Sequence, residues 1–387
     1  MIQQAYSKRT GILIPTLAAW MAVAVSATAQ TTNVWDGDTD GAWGTAANWF
    51  GDIAYGSDVV AFNLSTAVNL ATTLGADRNA NILAFIDDAD SNVSIVGNNL
   101  RLFAPSGTGL VVTADAAGNH FIGTTLQITN NQIWSIETTV GSLTVGPVRG
   151  GPNYSVAKVG AGTLVLSNST ADLDWFAVSN GTLLYASSSG NGFNDNNTHV
   201  LVASGATMDK NNTGTDHFRG LHGEGTILNW TGDLGLRVRD TDDLLFSGTI
   251  SQGTSAVNVR VVQDSNANSI QYLDASDTGK QAFDAVLPFT GQAQAHNGIL
   301  ALQGQNGSAL LVSQVLIGQN NRATRSPTFL LDSSADNELS GNRLSDTVGV
   351  RFDGPGQFKM IGNPSAPTTE TIGIITQNNG RAIITLD

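Results

Sequence analysis

Apolar and polar positions along this chain alternate in short bursts. Examples are Val93-Ser94-Ile95, Leu143-Thr144-Val145, Leu164-Val165-Leu166, Val257-Asn258-Val259-Arg260-Val261 and Ile384-Thr385-Leu386. A period of two residues belongs to a β-strand with one buried face. Beyond the first 29 residues no stretch of useful length carries the period of an amphipathic helix. Clusters of Asn, Gly, Ser and Asp separate the bursts, and these residues supply the left-handed conformations and side-chain-to-backbone bonds of turns. The segment 308–317 fits either period, and its surroundings favour strand.

A repeat organises the strands. Gly-Thr-aliphatic occurs at Gly162-Thr163-Leu164, Gly181-Thr182-Leu183, Gly225-Thr226-Ile227 and Gly248-Thr249-Ile250, with a looser copy at Gly205-Ala206-Thr207-Met208. Successive glycines stand 19, 24, 20 and 23 residues apart, and Gly298-Ile299-Leu300 continues the series further on. A period of 20–24 residues fits one coil of a parallel β-helix, with about three short strands and three turns. Glycine permits the corner, threonine joins an outward ladder, and the aliphatic residue points inward. Leu164 and Leu166 are thus expected inside, Thr163 and Val165 outside, and Leu183 against Leu164 one coil later. About sixteen coils at a spacing of ~4.8 Å would make a rod on the order of 75 Å long. The plainer alternative, chance in a Gly- and Thr-rich chain, does not account for the regular spacing.

Lys158-Val159-Gly160-Ala161-Gly162-Thr163-Leu164-Val165-Leu166-Ser167, followed by Ser179-Asn180-Gly181-Thr182-Leu183, resembles the autotransporter-associated β-strand repeat. Leu221 to Ile227 and Phe246 to Ser251 resemble later elements of such repeats. Trp35-Asp36-Gly37 with Trp43 and Asn48-Trp49, then Asn342-Arg343-Leu344-Ser345-Asp346 and Glu370-Thr371-Ile372-Gly373, look like recurring pieces of the same large secreted proteins. The resemblance implies an all-β, right-handed parallel β-helix, passenger-like and at the cell surface, with no shared enzymatic activity. No translocator barrel or sorting anchor is read in the sequence, so the chain is expected to be a fragment or to lack its attachment.

Composition agrees with a folded, exported chain. Hydrophobic residues make up 41% of the 387 and charged residues 13%, enough apolar surface for a core and too much for disorder. There is no cysteine, so stability must come from stacked ladders and a continuous core rather than disulfides. The net charge of −14 disfavours nucleic acid and anionic membranes as partners. Lys8 and Arg9, the apolar stretch Gly11 to Val25 and Ala27-Thr28-Ala29 read as a signal peptide over 1–29, with cleavage before Gln30. No second apolar run is long enough to span a membrane, so the mature chain is expected to have no membrane span. The expected organisation is signal peptide 1–29, Trp-rich cap 30–64 and solenoid 65–387.

Candidate chemistry is sparse. Asp36-Gly37-Asp38-Thr39-Asp40-Gly41 matches the first half of a calcium loop, but the position for the bidentate glutamate is Ala47, and a turn is the plainer reading. Arg237-Val238-Arg239-Asp240-Thr241-Asp242-Asp243 is the densest charge cluster. An enzyme would need matching residues about one coil away, and near Asp264 no convincing set appears. Of the histidines, His120, His199, His217, His222 and His296, only His217 and His222 are close, and no cysteine joins them. No nucleophile elbow or P-loop is present. Trp35, Trp43 and Trp49 are either an aromatic platform for sugars or a plug for the first coil, and the plug is favoured because a solenoid end must be covered. The sequence thus predicts no catalytic, cofactor-binding or metal residues and no cofactor. The expected function is a non-enzymatic structural or adhesive surface protein whose partners are extracellular glycan, matrix or other surface proteins. A glycan-binding module and a polysaccharide-degrading β-helix enzyme are the alternatives.

Overall fold

The computed structural model describes residues 31–387 apart from 51–57, 64, 87–90, 169, 172, 187–192, 194–197, 239–241, 262–278, 297, 319–326, 336–337 and 340. The signal-peptide segment, Arg239, Asp240, Thr241 and Asp264 lie outside the described residues.

The chain is a parallel β-helix. A sixteen-stranded sheet runs from end to end of the described residues, close to the number of coils expected. All its pairings are parallel except the first, where Trp49–Phe50 lies antiparallel to Thr32–Trp35. One inward file threads this long sheet. Val60 lies opposite Leu83, Leu83 opposite Leu110 and Leu110 opposite Trp134. The same register continues through Lys158, Val178, Val202, Gly223, Phe246, Phe283, Leu302, Leu331 and Met360, and it ends at Leu386, which is exposed on the last strand.

From Leu110 to Phe246 the step between opposite residues is 20 to 24, as the repeat predicts. Outside that stretch it ranges from 19, between Phe283 and Leu302, to 37, between Phe246 and Phe283. Ladder pairing fixes the strands alone, so the number of residues between paired positions can vary at little thermodynamic cost.

The other faces change along the axis. A nine-stranded sheet runs from Ala71–Thr73 to Thr249–Gln252, and a five-stranded sheet from Arg78–Ala80 to Thr170–Ala171. A seven-stranded sheet then begins at Asp216–Phe218 and ends at Ile375–Gln377. Early coils thus have long-, nine- and five-stranded faces, and late coils pair the long sheet with the seven-stranded one.

The register of the repeat is as the sequence predicts. Leu164 and Leu166 are buried, Thr163 and Val165 are half-exposed, and Leu164 lies directly opposite Leu183. Leu164→Ala is expected to open a cavity costing roughly 3 kcal/mol, and Thr163→Ala below about 1. Ladder pairing joins each coil to the next, so hydrogen exchange should accelerate around residues 160–190 and stay unchanged in distant coils. A larger effect from Thr163→Ala would contradict the packing.

The lysine of the repeat is inside. Lys158 is fully buried, and its Nζ donates to Gly160 O at 2.7 Å, Asn180 O at 2.8 Å and Val159 O at 3.3 Å. One ammonium thereby holds the corners of two successive coils. Burial pushes its pKa down to about 8. Gly160 turns the corner at φ +79°, and a β-carbon at Gly162 would strike Thr138 O of the preceding coil.

The two late motifs also meet. Arg343 is buried and donates to Gly307 O at 2.7 Å, Asp332 O at 2.8 Å, Gly304 O at 2.9 Å and Ser333 Oγ at 3.1 and 3.2 Å. The Glu370 carboxylate accepts the backbone N–H groups of Arg343 and Leu344, at 2.9 and 3.0 Å. The segments Asn342–Asp346 and Glu370–Gly373 are therefore two halves of one polar joint around the buried Arg343.

Candidate functional site

The outward side of the long sheet gathers the densest chemistry among the described residues. Strands Trp175–Val178, His199–Val202, Gly220–Gly223 and Asp243–Phe246 occupy successive coils. Phe176, Val200 and Leu221 alternate into the core, which turns Trp175, His199 and His222 outward. Trp175 stacks on His199 with ring centroids 4.3 Å apart, and His222 lies 5.3 Å from the same indole. Both imidazoles are nonetheless buried, at 5% and 8% exposure, because the ladder packs ring on ring.

Charges flank the rings. Asp242 accepts Nε and Nη2 of Arg219 at 3.1 and 3.2 Å. His199 Nε2 lies 3.7 Å from Asp242 and its Nδ1 3.9 Å from Asp174. Lys280 pairs with Asp243 at 3.0 Å. His222 is pushed down to about 4, first by burial and then by His199, against the pull of Asp242 and Asp243. The His222 imidazole is therefore neutral at neutral pH. Asp242 is already neutralised by a bidentate guanidinium, an arrangement suited to holding coils together. A general base would need a carboxylate or imidazole free to reach a substrate proton.

The partners of the charge cluster differ from those sought in the sequence. They sit one coil before, at Arg219, and one coil after, at Lys280. His217 and His222 do not form a pair: His217 lies on the seven-stranded sheet and His222 on the long sheet. The pair that forms is His199 and His222 against Trp175. Their separations of 24 and 23 residues match the coil period, the signal by which the sequence could have grouped them.

The remaining candidates are structural. Trp35, Trp43 and Trp49 are buried and meet edge to face, with centroids 4.9 and 5.3 Å apart. Their N–H groups donate to Val68 O, Thr72 Oγ1 and Trp43 O. They plug the first coil and offer no open sugar platform. In the Asp36–Gly41 segment, Asp40 accepts from Ala42 N and Asn48 Nδ2, which lowers its pKa, while Asn48 Oδ1 accepts Thr39 N and Asp40 N. The carboxylate is spent on the turn. No group of three or more His, Cys, Asp or Glu able to hold a metal occurs among the described residues.

Comparison with protein-family models, with curated proteins and with solved structures returned no match.

Proposed function

We propose that the chain is an exported, non-enzymatic β-helix that acts as a structural or adhesive element at the cell surface. On this reading it is similar to an autotransporter passenger, and it meets extracellular glycan, matrix or other surface proteins along its flat sides. The observation that supports this reading is a file of polar side chains on the nine-stranded sheet. Asn119, Ser142, Thr163, Thr182, Thr207, Thr226 and Thr249 stand opposite one another on successive coils. At ~4.8 Å per coil the file is on the order of 30 Å long. Threonine hydroxyls both donate and accept, and their β-branched side chains lose little freedom on binding. Such a file suits an extended partner that contacts one coil after another.

The test is retention of the purified chain on immobilised polysaccharides and matrix proteins. The triple variant Thr163→Gln, Thr182→Gln, Thr226→Gln should weaken the best interaction about tenfold, or ~1.4 kcal/mol, while leaving the tryptophan fluorescence unchanged. Equal retention of both proteins, or release of reducing ends from a polysaccharide, would overturn the reading.

A further inference from the structure

Three buried cations stand inside this solenoid among the described residues, and one is served differently from the others. Lys158 donates to three carbonyls, and the Arg343 side chain to three carbonyls and a hydroxyl. Among the described residues Lys210 Nζ has a single hydrogen-bond acceptor, the Asp216 carboxylate, and both side chains are fully buried. The rest of its surroundings are aromatic. Nζ lies 4.0 Å from the centroid of Tyr185 and 5.1 Å from that of Trp230, and Trp230 meets Phe218 edge-on at 5.7 Å. The Tyr185 hydroxyl and Trp230 Nε1 are buried and have no hydrogen-bond partner among the described residues.

Such a site is poor for an ion pair. An ammonium has three donors, and leaving two against ring faces in a dry core costs several kcal/mol of lost hydration. An amide needs far less, because it carries no charge and a single N–H. We propose that Lys210 and Asp216 are joined by an intramolecular amide bond between Nζ and Cγ.

The condensation balances without a co-reactant. A proton passes from Nζ to the carboxylate, giving an amine and a carboxylic acid. The nitrogen lone pair attacks Cγ and forms the C–N bond. The hydroxyl leaves as the C–O bond breaks and takes a second proton from nitrogen, releasing one water. Burial favours the neutral amine, since it lowers the Lys210 pKa against the pull of Asp216. Ring closure is short. Thr213 N and Oγ1 both donate to Lys210 O, at 2.8 and 2.7 Å, and fold the intervening turn. The bond would fasten the nine-stranded sheet to the first strand of the seven-stranded sheet, where Lys210 follows Thr207–Asp209 and Asp216 opens the new face.

Tryptic mass mapping of the purified full chain tests this. An amidated Lys210 resists trypsin, so the fragment from Val159 to Arg219 should appear intact and about 18 Da lighter than its residues, the mass of one water. Fragment-ion spectra should show Lys210 and Asp216 linked. The Lys210→Arg variant should cleave at position 210 and show no water loss. A stoichiometric Asn211 to Arg219 peptide from the unmodified sequence would overturn the proposal, as would an intact 159–219 fragment of full mass. Both readings come from the wild-type chain and hold whether or not the variant folds. Neither bears on adhesion, so the surface role stands or falls separately.

Discussion

Arg343→Ala is expected to melt the late coils while the early ones stay folded. The substitution removes the donors for Gly304 O, Gly307 O and Asp332 O and strips the joint of its buried charge. Unpaired buried carbonyls cost about 1–3 kcal/mol each, and breaking a buried charged network costs about 3–5 in all. A local loss of about 4–5 kcal/mol is therefore expected. Glu370 would remain on the N–H groups of residues 343 and 344, but burial already raises its pKa, and the arginine that opposes that rise would be gone. Arg343→Lys should recover only part, because one ammonium cannot span carbonyls that a five-donor fork reaches. The described tryptophans all lie at or before Trp230. Urea unfolding followed by tryptophan fluorescence should thus change little, while hydrogen exchange at residues 300–387 accelerates. Coincident loss of both signals would show that the solenoid melts as one unit.

The early and middle coils are expected to fail in acid. His120 is buried, stacks on Phe85 at 4.6 Å and sits at about 4, lowered by burial. His222 sits at about 4 for reasons given above. Unfolded, each would titrate near 6.5, so below that pH the unfolded chain binds protons that the folded one refuses. Their stabilisation is whole above about pH 6.5, declines as pH falls and is gone below about 4. A shift of this size corresponds to about 3 kcal/mol per histidine at 1.36 kcal/mol per unit. Hydrogen exchange at pH 7.5, 5.5 and 4 should show opening centred on the coils of His120 and His222. His120→Leu, which continues the inward file into Leu143, should flatten the pH dependence of its own coils. An equally steep loss in that variant would assign the acid lability elsewhere.

The strand register was legible because a period of two and a glycine corner leave one choice for Leu164. The plug of Trp35, Trp43 and Trp49 was legible because an open end must be covered. The buried cations were not. Patterning sends Lys158, Lys210 and Arg343 to water, whereas the corners of a β-helix present carbonyls inward, and only the folded path shows which cation reaches them. The segment 308–317 was read as strand, and only Gln314–Ile317 is one, preceded by bridges at Ser308 and Ala309. Cross-coil partners were missed where the coil length changed. A search one period beyond Asp243 led to Asp264, while the 37-residue step places Lys280 beside Asp243.

That uneven step also shapes how the molecule yields to force. Ladder bonds run along the solenoid axis, so a pull on the ends loads them one rung at a time. A coil of 20–24 residues that gives way frees about 70–80 Å of chain, and the 37-residue coil about 125 Å. A tether built this way lengthens in unequal increments and dissipates work at each one. An amide across Lys210 and Asp216 would subtract the few residues of its loop from the increment of that coil alone.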